Sequence, residues 1–394
     1  MNLEDVQNMN RALIIRSLRR NKVWSRAELA NATGLKQATI GNIINDFIHW
    51  GLVVETGMIG GKKGRRSIGV ALNNKAVRVI GVRLERHYIK IGLFDLLGTA
   101  EQVEEQALKI PLDSETLVAK IVDSTQAMMA RFPYYKVMSI GVAIPGPYLR
   151  AEGRMAWATE LPGMGRLPLQ TKLSTALTVP VFLEHDAKAA ALAKWWLAQK
   201  HEENKTVVYL TVGQGVGAGV VIDGNLLRGD YGIAGEIGHL TIDFNGPRCE
   251  CGNCGCLELY CSSIALLRYI QNKRLLGGAR IPQEELALDK VREAFQRDEA
   301  WAQEAVRQSA QYLGIGLASV INAYGPSKII IGDEMSSFGN GYLEAIMAAI
   351  GDRVKPHIWK AVRIELETSD HDEILAGVGA LAVGQILREG FMGS

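Results

Sequence analysis

The sequence lacks any apolar run long enough to cross a membrane, and its N-terminus has no leader pattern. A membrane-spanning helix needs about 20 consecutive apolar residues, and no stretch of the chain approaches that length. Residues 1–6 include two acidic side chains where a secretory signal would have basic and then apolar ones. We therefore expect a cytoplasmic protein that does not bind a membrane.

Cysteine is absent from all but one short segment of the chain. All five cysteines lie between Cys249 and Cys261. A secreted disulfide framework distributes its cysteines over the whole fold. The clustering therefore favours a local site over a set of structural crosslinks.

The chain also lacks a strong excess of either charge. It has 394 residues with a formal net charge of +2, 47% hydrophobic and 22% charged residues, values that exclude bulk disorder and allow two or three domains. The average conceals a contrast. Residues 1–75 hold 12 Lys/Arg and 5 Asp/Glu, a charge of +7, whereas residues 76–394 carry −5. A basic head precedes a mildly acidic body.

The head has the helix signals of a helix-turn-helix. Apolar residues within 11–18 fit one face of a first helix, and Ser25 with Glu28 forms a capping-box pattern for a second. Gly34 supplies a turn, and an apolar face predicts a third helix from near Lys36 to Gly51. In this motif the third helix enters the major groove. The predicted DNA contacts here are Arg26, Lys36, Gln37, Thr39 and Asn42.

A basic hairpin follows the third helix and resembles a wing. Residues 52–55 and 67–72 are predicted as strands that flank the glycine-rich segment 60–66. Its basic side chains suit phosphates or a narrow minor groove, and the predicted contacts are Lys62, Lys63, Arg65 and Arg66. The alternative is a small three-helix bundle whose charges are only solvated. The charge excess favours a winged helix-turn-helix over residues 1–75 that binds double-stranded DNA.

The body contains two hairpin patterns about 130 residues apart, at 77–95 and 207–223. Helical stretches follow each, which predicts two related α/β lobes with a ligand cleft between them. The glycine-rich segment 213–219 suits a loop whose N–H groups approach a phosphate. Glycines also make ordinary hairpin turns, so this segment alone does not identify a site.

One imidazole and three thiolates form a predicted metal site. His239, Cys249, Cys251 and Cys256 make a Cys3His set suited to one structural zinc per chain. The alternative is that the thiols pack as small apolar groups. Cys254 and Cys261 are left over, either as alternative ligands or as spare thiols.

These motifs together resemble the ROK family of repressors, open reading frames and sugar kinases. The pattern Gly235-Glu236-Ile237-Gly238-His239, nine residues, then Cys249-x-Cys251-Gly-x-x-Gly-Cys256-Leu-Glu258 resembles the family signature, and the likeness spans the chain, including a winged helix found only in the repressor branch. It implies a two-lobed actin/hexokinase-like (ribonuclease H-like) α/β sugar-binding fold. The implied lobes are 76–195, completed by the C-terminal helix 374–394, and 196–373 with the zinc loop.

The resemblance also implies a sugar site. In family kinases an aspartate matching Asp186 acts as general base, and residues matching Glu236, His239 and Glu258 bind sugar hydroxyls, which suits their chemistry. The alternative for Asp186 is a helix N-cap role. The implied sugar-binding residues are Pro145, Gly146, His185, Asp186, Glu236, His239 and Glu258.

The sequence departs from the kinases where they bind phosphate. Family kinases carry an Asp-x-Gly-Gly-Thr type loop, whereas this chain has bulky charged residues at 83–88, beginning with Arg83. Gly332-Asp333-Glu334 also replaces a glycine-rich run. Because phosphoryl transfer depends on positioning and on neutralising charge, we expect no enzymatic activity beyond a residual kinase activity, with Asp186 a vestigial base.

We therefore expect a sugar-responsive transcriptional regulator, a repressor that acts as a homodimer or homotetramer and releases its operator when a sugar or sugar phosphate binds. Residues 83–87 and 93–96 are similar to the N-acetylglucosamine repressors, and residues 241–247 are similar to the xylose repressors. These two similarities point to different sugars, so they do not decide which sugar is the effector. The alternatives are an ATP-dependent hexose or N-acyl-hexosamine kinase with an added DNA-binding domain, and a regulator controlled by a protein partner.

Overall fold

The structure is a computed structural model of the chain. It describes residues 3–20, 23–60, 66–85, 87–108, 113–156, 164–197, 205–276, 286–351, 353–368 and 372–389. Within these ranges, no helix combines the length and apolar character that a membrane span requires.

The N-terminal head contains three helices and a small antiparallel sheet with strand order β1-β3-β2. Its elements are α1 (Leu3–Arg20), β1 (Trp24–Ser25), α2 (Arg26–Thr33), α3 (Gln37–His49), β2 (Val53–Gly60) and β3 (Arg66–Leu72). The capping box is confirmed, because Ser25 Oγ accepts the Glu28 N–H and the Glu28 carboxylate accepts the Ser25 N–H. Gly34 ends α2 with φ of +71°. The predicted three helices and hairpin are therefore present in order.

The core of the head continues into the body. Ile14, Ile44 and Phe47 are fully buried, and they belong to the same apolar cluster as Met138 and Val383 of the body. Helix α1 also packs directly on the C-terminal helix. The head therefore rests on the body through a shared core.

The first lobe is built on a five-stranded sheet with order β10-β7-β4-β5-β6. Strands β4, β7 and β10 are parallel, and β5 and β6 are antiparallel to their neighbours. The elements are β4 (Val77–Leu84), β5 (Tyr88–Phe94), β6 (Ala100–Ala107), α4 (Ser114–Arg131), β7 (Lys136–Ile144), a small hairpin of β8 (Tyr148–Leu149) and β9 (Arg154–Met155), α5 (Leu169–Ala176), β10 (Val181–His185) and α6 (Asp186–Leu197).

The second lobe repeats this plan with order β13-β12-β11-β14-β15. Its hairpin is antiparallel, and β11, β14 and β15 are parallel, as in the first sheet. The elements are β11 (Thr206–Val212), β12 (Val216–Ile222), β13 (Asn225–Leu226), α7 (Glu258–Cys261), α8 (Ser263–Leu276), α9 (Leu288–Gln296), α10 (Ala300–Tyr324), β14 (Lys328–Gly332), α11 (Asn340–Gly351), α12 (Pro356–Trp359), β15 (Arg363–Leu366) and α13 (Glu373–Glu389). The duplicated α/β fold expected from the two hairpins is confirmed.

Helices α6 and α13 lie between the two sheets and cross at small residues. A Cβ on Gly141 of β7 would lie 2.1 Å from the carbonyl oxygen of Val378 in α13, and one on Gly219 of β12 would lie 2.3 Å from that of Ala187 in α6. Each helix thus packs closely on one sheet. Helix α6 follows a strand of the first sheet but packs on the second. The domain boundary at 195 stays a prediction.

Candidate functional site

One cavity brings together all seven residues that were predicted to bind sugar. It lies where β10 ends and α6 begins, opposite the loop between β11 and β12. Its lining is Glu85, Pro145, Gly146, His185, Asp186, Thr211, Gln214, Gly215, Val216, Gly217, Glu236, His239, Glu258 and Asp333. Residues from both lobes therefore face a common space.

His185 and Asp186 stand at the junction of β10 and α6. His185 Nε2 lies 3.2 Å from Asp186 Oδ1 and 4.0 Å from Glu236 Oε1. Burial lowers the pKa of His185, so the imidazole is neutral near pH 7. Burial also raises the pKa of Asp186 to about 6. Asp186 accepts the N–H of its neighbour Ala187 at the start of α6 and also lines the cavity.

Several polar atoms of the cavity have no hydrogen-bond partner among the described residues. They are His185 Nδ1, Gln214 Oε1 and Glu236 Oε1. Leaving buried polar groups without a hydrogen bond costs about 1–3 kcal/mol each. With the proton of the neutral His185 ring on Nε2, facing Asp186, all three atoms are acceptors, which suits a ligand whose hydroxyl groups donate hydrogen bonds.

The four predicted metal ligands form a compact cluster beside this cavity. The ligand atoms of His239, Cys249, Cys251 and Cys256 all lie within 4.8 Å of one another. Cys251 Sγ is 3.6 Å from Cys256 Sγ, and Cys249 Sγ is 3.7 Å from His239 Nδ1. Tetrahedral ligands bound at about 2.3 Å are separated by about 3.8 Å. The cluster therefore has the spacing of a metal site.

The metal cluster and the cavity share His239, and Glu258 of the cavity wall lies against the cluster. Glu258 Oε1 lies 3.7 Å from His239 Nδ1 and 3.6 Å from Cys249 Sγ. Cys254 and Cys261 are outside the cluster, and the thiol of Cys261 instead donates to the Leu257 carbonyl oxygen. A metal bound here would fix two residues of the cavity wall.

Arg83 lies next to the cavity, outside its lining, and contacts three carboxylates. Its guanidinium contacts Glu85, and lies 3.0 Å from Asp372 and 3.6 Å from Asp333. Burial disfavours the charge, yet these carboxylates raise the pKa of Arg83. Arg83 and Glu85 belong to the first lobe, whereas Asp333 follows β14 of the second. The arginine therefore bridges the lobes.

Asp333 has an unusual backbone conformation for a residue with a side chain. Its φ is +69° and its ψ is −165°, a region that is essentially restricted to glycine and costs of order 1–3 kcal/mol. Its carboxylate lies against Gly213, where a Cβ would be 2.5 Å from Asp333 Oδ2. The glycine-rich loop of the second lobe therefore already has an anionic group against it.

The predicted DNA contacts of the helix-turn-helix lie near the start of α3. Lys36, Gln37 and Asn42 are exposed, and Thr39 is half-buried. Arg26 forms an ion pair with Glu55 at 3.1 Å, so part of its charge is already neutralised within the head. Of the wing residues, Arg66 is exposed at the start of β3, whereas Lys62, Lys63 and Arg65 lie outside the described residues.

Some of the charge of α1 faces the body. The Arg16 guanidinium lies 4.7 Å from the centre of the Trp195 ring in α6, and Arg19 donates to the Leu97 carbonyl oxygen at 2.9 Å. The excess of +7 in the head therefore overstates the charge that is available to DNA. These two arginines connect the head to the first lobe.

The sequence did not identify every residue of the cavity. Thr211 and Gln214 line it, and Lys188 lies buried behind it with Nζ 3.9 Å from Glu236 Oε1. The position of Gln214 inside a glycine-rich segment could have indicated it. Lys188 gives no such signal, because it lies in an alanine-rich helix and only the fold brings it to Glu236.

Comparison with known proteins agrees with this architecture. A model of the ROK family matches residues 79–385. The xylose repressor of Caldicellulosiruptor bescii is 30% identical over 389 residues, 97% of each chain. The DNA-binding transcriptional dual regulator NagC of Escherichia coli is 26% identical over 391 residues, 97% of this chain and 93% of its own.

Two solved structures have a similar fold. A ROK family transcriptional regulator, a homologue of the E. coli MLC protein, aligns with a TM-score of 0.83 at 25% identity and covers 97% of this chain and 98% of its own. The ROK hexokinase from Thermus thermophilus aligns with a TM-score of 0.65 at 30% identity and covers 79% of this chain and 99% of its own. The fold is thus that of an actin/hexokinase-like α/β protein with an N-terminal helix-turn-helix. The chain belongs to the ROK family.

The raised pKa of Asp186 leads to a stability prediction. In the folded protein the pKa of the Asp186 carboxyl is about 6, above its ordinary value of 3.8. Ionisation of this carboxyl therefore lowers the stability of the fold, and the effect disappears below about pH 4. We expect Asp186→Asn to increase the free energy of unfolding by roughly 1–3 kcal/mol near pH 7.5 and to leave it nearly unchanged near pH 4. Urea unfolding followed by tryptophan fluorescence at both pH values measures the difference.

The matched control for this variant is Asp289→Asn. Asp289 is an exposed residue of α9 that pairs with Arg292 on the same helix. An Asp186→Asn effect of equal size at the two pH values would contradict the assignment of a buried, ionised carboxyl at the cavity.

Proposed function

We propose that the chain is a sugar-responsive, DNA-binding transcriptional repressor of carbohydrate uptake or catabolism genes. The observation that carries this proposal is a winged helix that shares a core with a body whose cavity is lined with groups able to bind hydroxyls. Similarity over 97% of the chain to a xylose repressor supports it. The hexokinase aligns with only 79% of the chain, and the family model begins after the head. Binding of a sugar or sugar phosphate would release the operator.

DNA recognition would use the exposed N-terminal side of α3. Lys36, Gln37 and Asn42 face solvent there, and Arg66 extends from the base of the wing. Side chains at this end of a recognition helix contact base edges, and basic groups of a wing contact phosphates. A homodimer or homotetramer would place two such heads on half-sites about one helical turn apart, or a multiple of it.

Helix α6 offers a physical connection from the cavity to the head. Its first residue, Asp186, lines the cavity, and Trp195 near its other end lies under Arg16 of α1. Glu184, just before the helix, is buried and accepts a hydrogen bond from Arg228 Nε at 2.8 Å. Arg228 also lines a second cavity, which is bounded by α1, α6 and α13. A ligand that shifts α6 would therefore move the contact on which α1 rests.

The sugar kinase is the second candidate function, favoured by the position of Asp186. Its carboxylate lines the cavity and has a raised pKa, as a general base would. The region that would hold phosphate argues against it. Arg83 and Asp333 are ion-paired across the lobes there, and the chain offers no glycine-rich loop at residues 83–88.

The direct test is binding of DNA by the full chain with and without sugars. A duplex selected by this protein from a random library should bind on the order of 10³-fold more tightly than unrelated DNA. We expect an effective sugar to weaken that binding by about 10-fold to 100-fold, because it favours the conformation with the lower DNA affinity. Fluorescence anisotropy with the selected duplex measures both quantities.

Two arms make this test decisive. Gln37→Ala should reduce affinity for the selected duplex, whereas the exposed Lys290→Ala in α9 should leave it unchanged. The same protein is assayed for ADP release with ATP and the sugar panel. Turnover that Asp186→Asn abolishes, together with DNA binding insensitive to every sugar, would favour the kinase.

We further propose that the Cys3His cluster holds one structural zinc ion. Three thiolates and an imidazole are the ligand set that zinc prefers, with no position left for substrate. The separations of 3.6 Å and 3.7 Å support this assignment. Because His239 and Glu258 border both the cluster and the cavity, the ion would orient two residues that face the sugar.

Metal analysis of purified variants tests the zinc site. We expect about one zinc per chain in the wild type and substantially less in Cys249→Ser, since one thiolate is lost. Cys254→Ser is the matched control, because Cys254 lies outside the cluster, and it should retain the metal. Full zinc content in Cys249→Ser, or equal loss in both variants, would contradict the ligand set.

A further inference from the structure

The lining of the sugar cavity is rich in carboxyl groups. Five of its fourteen residues are carboxylates, two are histidines, and none of these described lining residues is lysine or arginine. Burial raises the pKa of Glu236 and Asp186, so the cavity disfavours ionised acidic groups that lack a cationic partner. The described lining of the cavity therefore favours neutral ligands over anions.

The cations closest to this cavity are engaged by protein groups. Arg83 contacts Glu85, Asp333 and Asp372. Lys188 donates to the Gly232 carbonyl oxygen at 2.6 Å and lies near Glu236. A phosphate would have to displace one of these carboxylates or share its cation. Either change carries a cost that a neutral sugar avoids.

Asp333 occupies the place where the second lobe would otherwise receive an anion. A glycine-rich turn after a strand presents N–H groups to negative charge, and the carboxylate of Asp333 lies against Gly213 of that turn. The backbone of Asp333 has a positive φ, which is a conformation that favours glycine. This backbone conformation positions the carboxyl group against Gly213. Contact with Arg83 at 3.6 Å provides the compensating charge.

We propose that the Asp333 carboxyl group, held beside Arg83, occupies the phosphate-binding region of the cleft, so that the effector is an uncharged sugar and not a sugar phosphate or a nucleotide. This inference rests on the proposed sugar-sensing function and specifies the chemical class of the ligand. Asp333 is the specificity-determining residue. Glu85, which shares Arg83, places a second carboxyl group on the same side, and burial raises its pKa to about 7.

The test compares each neutral sugar with its own phosphate ester. Full-length protein is titrated by calorimetry with glucose, xylose and N-acetylglucosamine, with a phosphate ester of each, and with a non-hydrolysable ATP analogue. We expect at least one neutral sugar to bind, and its phosphate ester to bind weaker by on the order of 50-fold, because like charges a few ångströms apart repel strongly in a partly buried site. The ATP analogue should not bind measurably.

Two substitutions then separate a specificity role from a structural one. Asp333→Asn removes the charge and keeps the side-chain shape, whereas Asp333→Gly also relieves the positive φ and guards against a folding defect. In both variants the ratio of the two dissociation constants should fall to within about 5-fold, because the carboxyl group that repels phosphate and competes with it for Arg83 is removed. Asp289→Asn is the matched control and should leave the ratio unchanged.

The outcomes distinguish failure of the neutral-sugar inference from failure of the proposed sugar-sensing function. A wild-type protein that binds a phosphate ester as tightly as the neutral sugar would overturn this inference and leave the sugar-sensing function intact. An unchanged ratio in both Asp333 variants would likewise overturn it, since Asp333 would then act only on structure. If the protein binds DNA but none of the six sugar ligands, the sugar-sensing function fails, and this inference fails with it.

Discussion

The crossing of helices α6 and α13 between the two sheets is the constraint on which the rest of the structure depends. At the crossing, a Cβ on Gly377 would lie 1.9 Å from the Ala189 carbonyl oxygen, so no larger residue fits. Helix α6 leaves the first sheet and packs on the second, whereas α13 leaves the second lobe and packs on the first. The lobes are therefore interlocked, and the start of α6 places His185 and Asp186 between them. Helix α1 of the head packs on α13, so the same pair of helices connects the cavity to the head that is proposed to bind DNA.

Much of this architecture follows from local sequence patterns. The capping box at Ser25 and the turn at Gly34 define the helix-turn-helix, because both are set by residues a few positions apart. The repeated hairpins predict the two sheets, since alternating apolar residues and glycine turns specify them locally. The Cys3His cluster could also be predicted from the sequence, because three of its four ligands lie within eight residues. These features need no knowledge of tertiary structure.

The charged network around Arg83 could not be predicted in the same way. Asp333 and Asp372 are about 250 and 290 positions away along the chain, and only the packing of the lobes brings them to Arg83. The sequence showed that the phosphate loop was altered, but not that an ion pair bridges the lobes there. The contact of Arg16 with Trp195 likewise joins residues that are far apart in the sequence. It places part of the basic charge of the head against the body, where composition alone suggested a surface for DNA.

In the proposed sensor, helices α6 and α13 connect the sugar-binding cavity to the DNA-binding head. Such a connection has a thermodynamic consequence, because a sugar that weakens DNA binding must itself be bound more weakly when DNA is present, by the same factor. Titration of the effector into the full-length protein, alone and saturated with the selected duplex, measures that factor. We expect the dissociation constant for the sugar to be about 10-fold to 100-fold higher when the duplex is bound than when it is absent. This factor should equal the loss of DNA affinity caused by the sugar. A sugar affinity that is the same with and without DNA would contradict it.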